Sequence, residues 1–107
     1  MSLENTKVVD AAGLENASNT VVLSILDSWD WEDEQRHLLA LQEKLNTYFE
    51  FIESGQVYDA YPDAKGRVLR IDVIGRYPIT RRARDFFDKA AAVASELNVE
   101  VLHKVHP

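Results

Sequence analysis

Leu38, Leu41, Leu45, Tyr48 and Ile52 recur at intervals of three and four, a spacing that lays them along one side of a helix. Such a helix persists in water only when its oily side rests on a second layer. The rest of the chain supplies that layer. Runs at 7–12, 20–26, 56–61, 68–76 and 99–106 are rich in β-branched and aromatic residues or alternate apolar with polar, and they read as strands. A second stripe, Ala83, Phe86, Phe87, Ala90, Val93, Ala94 and Leu97, predicts a helix that starts after Thr80, a good N-cap, and ends at Asn98. The predicted order is ββαββαβ. It describes an α+β fold with two helices packed on one face of a mainly antiparallel sheet, a two-layer sandwich related to the ferredoxin-like succession βαββαβ.

The residues between these runs agree with the division. Polar residues 15–19 make a turn, so the first two strands form a hairpin. Either Ser28 or Asp30 caps a first helix beginning near Trp31, with Glu32, Asp33 and Glu34 in the first turn, where the helix dipole favours negative charge. Gly55 closes that helix, and Leu39, on its charged side, is expected in solvent. In 68–76, alternation sets Leu69, Ile71 and Val73 against Arg70, Asp72 and Arg76, so one face of the sheet is expected to be wet.

A chain of 107 residues that is 46% apolar has material for one core, hence a single domain over 1–107, with residues 1–5 and Pro107 loose. No apolar run is long enough to span a bilayer, and the opening residues lack the basic start and apolar stretch of a signal peptide. The expectation is a cytoplasmic protein with no membrane partner. The absence of cysteine removes disulfides, thiolate metal sites and cysteine nucleophiles.

The net charge of −6 is unevenly spread. Through Asp63 there are 13 acids against Lys7, Arg36 and Lys44; from Ala64 onward there are nine basic and five acidic residues. An acidic total opposes nucleic-acid binding, which rests on neutralising phosphates, while the split points to a polarised surface.

Few constellations carry chemistry. The acids from Asp27 to Glu34 lack the spacing of a calcium loop and are explained as helix caps. Glu34 and His37 form one E-x-x-H pair where di-metal sites need two, so His37 is expected on the helix surface. No nucleophile elbow or phosphate-cradling glycine motif is present, and neither cofactor nor metal is expected. The clearest oddity is Arg76, Arg81, Arg82 and Arg84 around the start of the second helix, where the dipole disfavours cations. Arg81 with Asp85 and Arg84 with Asp88 have the i,i+4 spacing of ion pairs, which leaves Arg82 for a phosphate, a carboxylate or an acidic protein patch. Trp29 and Asp30 sit in the acidic segment that would face such a cluster on a second copy. Tyr58 and Tyr61, with nearby carboxylates or arginines, offer an alternative ligand site.

The motifs Trp29-Asp30-Trp31-Glu32-Asp33-Glu34, His37-Leu38-Leu39, Leu41-Gln42-Glu43-Lys44-Leu45-Asn46, Phe51-Ile52-Glu53-Ser54-Gly55 and Tyr61-Pro62-Asp63-Ala64-Lys65-Gly66-Arg67 together resemble a family of small, one-domain bacterial proteins classed as a domain of unknown function. The likeness is strongest from Trp29 to Arg67. It implies a bacterial cytosolic protein and transfers no catalytic residue. The favoured function is a non-enzymatic interaction module with a charge-polarised surface, meeting a protein partner or a second copy of itself. The alternative is a small enzyme or anionic-ligand binder using Tyr58 and Tyr61.

Overall fold

The computed structural model describes residues 3–106. Strand β1 (Ala11–Glu15) turns through a single 3-10 turn at Asn16–Ser18, with Asn19 left-handed, into β2 (Thr20–Asp27). Helix α1 (Glu34–Glu53) and short helix α2 (Gln56–Ala60) follow, then β3 (Val68–Gly75), α3 (Arg81–Glu96) and β4 (Val99–Val105). The four strands lie side by side in chain order. β1 is antiparallel to β2, whereas β2 with β3 and β3 with β4 are parallel.

The α+β class and the two-layer arrangement hold, but the sheet is mixed and its order is not that of a ferredoxin-like fold. The expected fifth strand is the cause. Gln56–Ala60 forms α2 instead, with Tyr61 at its C-cap: Gly55, at φ +84°, turns the chain out of α1, and Val57 is then buried on a single helical turn. Without that strand no hairpin can precede β3. The chain instead returns to the start of the sheet through α1, and parallel pairing follows, as it does again through α3. Both crossovers advance in the same direction along the sheet, and their helices α1 and α3 touch and share one core on a single face.

Val21, Leu23 and Ile25 of β2, Leu69, Ile71 and Val73 of β3, and Val99 of β4 point to that face and are buried. From α1 they meet Leu41, Leu45, Tyr48 and Ile52, and from α3 Phe87, Ala90 and Ala94. Leu39 is exposed, as its position on the charged side requires.

The helix boundaries differ in detail. α1 starts three residues later than expected because Asp33, rather than Ser28 or Asp30, caps it by accepting from the Arg36 amide. Asp30 serves the preceding turn, accepting from the Glu32 amide. Thr80 caps α3 through the Ala83 amide, and left-handed Asn98 ends it.

The segment before β1 is not loose where it is described. Leu3 is buried in the core, and Lys44 of α1, fully buried, donates to the carbonyls of Asn5 and Val8 while pairing with Asp10 at 2.9 Å. Residues 1, 2 and 107, also expected to be loose, lie outside the described residues. No helix among the described residues is long and apolar enough to cross a membrane.

Candidate interaction surface

Strand alternation turns every second side chain of the sheet away from the helices. Among the described residues no helix packs on this second face. Leu26, Val68 and Leu102 stand on it 38%, 45% and 39% exposed, while Leu23, Ile25, Ile71 and Val73 on the helix side are fully buried. Between them runs a chain of charges that crosses the sheet. Arg70 reaches Glu15 of β1 at 3.0 Å and grips Asp72 with two nitrogens, at 2.7 and 3.2 Å. Lys104 of β4 donates to the same Asp72 carboxylate at 3.1 Å.

Each member shifts its neighbours. Asp72 is buried, which on its own pushes a carboxyl up; the hydrogen bonds from Arg70 and Lys104 outweigh this and hold it below the ordinary range. Glu15 is likewise lowered, by hydrogen bonds from Ser18 and Arg70. Arg70 is raised further by its bonds to Asp72 and Glu15. The network is therefore charged yet internally neutralised, a state that can be covered by a partner at smaller desolvation cost than isolated charges.

The second distinctive place is the rim formed by the carboxyl ends of β2, β3 and β4, where ligands gather in parallel α/β sheets. Asp27, the last residue of β2, accepts from the Trp29 amide and meets His37 Nε2 at 2.6 Å. The other ring nitrogen of His37 donates to the Asp30 carbonyl at 2.9 Å. Trp31 stacks on the same ring, with centroids 3.6 Å apart. His37 is thus a buried bracket between strand and helix rather than the helix-surface residue expected from sequence. Both its nitrogens are engaged, so it has none free to take a proton from a nucleophile. His103, close by, packs against Phe87, and its Nε2 is buried with no hydrogen-bond partner. Burial holds His103 below its ordinary value, with Asp27 opposing and His37 acting in the same sense as burial.

The structure sorts the residues singled out from sequence into two distant groups. Trp29 and Asp30, in the β2–α1 loop, share the carboxyl rim with Arg76, Arg81 and Arg82 around the β3–α3 loop. Arg82, expected to lack a partner, donates to Gln35 at 2.6 Å and pairs with Glu34 at 3.5 Å across the two helix starts. Arg81 and Arg84 are exposed, and among the described residues neither forms the expected ion pair with Asp85 or Asp88. Arg36 lies over the Trp29 ring at 4.9 Å. Tyr58 and Tyr61 are at the other end of the sheet, beyond the C-terminus of α1 and before the start of β3, roughly 23 Å of strand away. Tyr58 packs against the core, and Tyr61 is exposed. Arg67 is held by Asn19. Tyr58 and Tyr61 are therefore not brought together with the arginines of the carboxyl rim.

Sequence reading missed Glu15 and Lys104 as members of a network, because which strands neighbour one another decides that. Arg70 and Asp72 were legible as residues of the same face.

An open-faced α+β domain, with one helix layer and an unshielded ionic sheet face, is the class this architecture defines. No curated protein and no solved structure matches the chain. The chain belongs to the family of unknown function DUF6572, whose profile matches residues 1–107.

Proposed function

We propose that this chain is a non-enzymatic protein-interaction module of the bacterial cytoplasm that binds a protein partner with the uncovered face of its sheet. One observation carries the reading: among the described residues no second layer packs on one sheet face, yet that face holds three exposed aliphatic side chains and an ionic network that is already satisfied. Arginine is enriched at interface centres and unpaired charge is depleted there, and on this face a semi-buried arginine shares the surface with exposed aliphatic groups while its own charge is already matched. A cysteine-free chain suits a reducing compartment. The rim offers less to a small anion, since Arg82 is committed to Gln35 and Glu34.

Photo-cross-linking in cells tests the proposal. A benzophenone side chain at Val68, on the bare face, is expected to give a discrete protein adduct, and the same group at Leu39, on the outer side of α1, is expected to give none. Adducts from neither position, or equally from both, would defeat the reading.

A further inference from the structure

The two edges of the sheet are unlike. β1 is five residues long with Gly13 at its middle, whereas β4 is a seven-residue edge, Val99–Val105, with no strand beyond it among the described residues. The His106 amide donates to the Gly75 carbonyl of β3 at 2.8 Å. Period-two alternation then turns the backbone groups of Val101, His103 and Val105 outward, a row of donors and acceptors ready to pair. Val105 and Leu102 are exposed at 42% and 39%.

The side chains of this strand carry a code. Glu100 and Lys104 lie two residues either side of Leu102, on the same face. When a second β4 is laid antiparallel about a two-fold axis through Leu102, Glu100 falls opposite Lys104 of the other copy, twice. The outward amides of Val101 and His103 meet each other in the same register, and those of Val99 and Val105 do so as well. Glu100 and Lys104 then occupy the close, non-hydrogen-bonded pairs, where side chains interact most. Axes through Glu100 or Lys104 would set like charges face to face, and axes through Val101 or His103 would leave both ions unmatched. One register alone satisfies backbone and charge together.

We infer that this protein forms a two-fold homodimer by antiparallel β4–β4 pairing, which joins the two sheets into one of eight strands. Lys104 has three donors, so it serves Asp72 of its own chain and Glu100 of the second copy at once. This goes beyond the proposed binding face and does not depend on it: the Val68 cross-link reads the face, whereas self-association reads the edge.

Sedimentation velocity on the purified full chain tests the inference. The wild type is expected to run as a dimer at micromolar concentration. Glu100→Lys and Lys104→Glu, each confronting its own copy with like charge, are expected to dissociate about tenfold or more readily, since each loses two cross-strand pairs and gains two repulsions. Mixed one to one, the two variants are expected to regain the dimer, because every 100–104 pair is again of opposite sign. Val105→Pro deletes only an outward amide, leaves the β3 ladder intact, and is expected to be a folded monomer by circular dichroism. A wild type that stays monomeric, or variants that do not recover on mixing, would overturn the inference. A dimer indifferent to Val105→Pro would do the same. Should the proline variant fail to fold, the mixing experiment decides alone.

Discussion

The two faces of the sheet handle polar groups in opposite ways. On the helix-covered face they are isolated brackets, each sealed from water: Lys44 on Asp10 at 2.9 Å, His37 on Asp27 at 2.6 Å. On the bare face four charges share one chain from Glu15 to Lys104, and its outer members stay wet, Lys104 being 52% exposed at the side chain. A sealed pair has no substitute when a partner is lost, because the remaining charge keeps its burial penalty. A wet chain can replace a lost member with water. The contrast marks one face as built for stability and the other as available for contact.

Removing a cation from each face is the strongest way to break this contrast. Lys44→Ala is expected to destabilise by about 3–5 kcal/mol, since it strands buried acceptors, whereas Lys104→Ala is expected to cost under about 1 kcal/mol. Urea unfolding of both variants measures the difference, and equal losses would erase it. Among apolar residues the same asymmetry is expected at smaller size. Leu41→Ala, fully buried, costs about 2–5 kcal/mol, and Leu26→Ala, on the bare face, about 0.5 kcal/mol or less.

Two glycines sharpen the comparison further. A methyl group at Gly75 would stand 2.9 Å from Nε2 of His103, while one at Gly13 would meet nothing within 4 Å. Gly75→Ala is expected to cost about 1–3 kcal/mol by overpacking. Gly13→Ala is expected to gain about 0.5 kcal/mol by stiffening the unfolded chain. Combining Gly75→Ala with His103→Ala should return part of the loss, because the clash then has no second party.

How much of this was legible depends on the range over which each feature is decided. The stripe from Leu38 to Ile52 spans four turns, so its period alone fixes α1; alternation over eight residues did the same for β3. Residues 56–61 are too few for a period to separate strand from helix, and the positive φ of Gly55 settles the matter for helix. Parallel pairing was hidden because it follows from which segments cross over, not from any strand's own residues. His37 and Lys44 did leave a trace: each stands four or three residues from Leu41, within the oily stripe. Their partners Asp27 and Asp10 lie 10 and 34 positions away and could be assigned only from the fold. The same holds for Arg82, whose local spacing offered no partner while α1 supplied two.

The finest distinction between the faces is in acid. His103, on the covered side, is held below its ordinary value of 6.5 by burial, with His37 reinforcing and Asp27 opposing. Above 6.5 the ring is neutral in both folded and unfolded chains, and it has no effect on stability. As pH falls below 6.5 the unfolded chain takes the proton first, so stability is lost until the folded ring titrates as well. Asp72, on the bare side, is held below its ordinary 3.8 because Arg70 and Lys104 outweigh its burial. Its contribution is complete above 3.8 and is lost only as pH drops through the lowered value. The two faces should therefore weaken in separate windows, the covered face first. Measured by urea midpoint against pH, His103→Leu is expected to flatten the limb just below 6.5 and leave the one below 3.8. Asp72→Asn is expected to do the reverse. A single limb that survives both substitutions would show that acid sensitivity belongs to neither face.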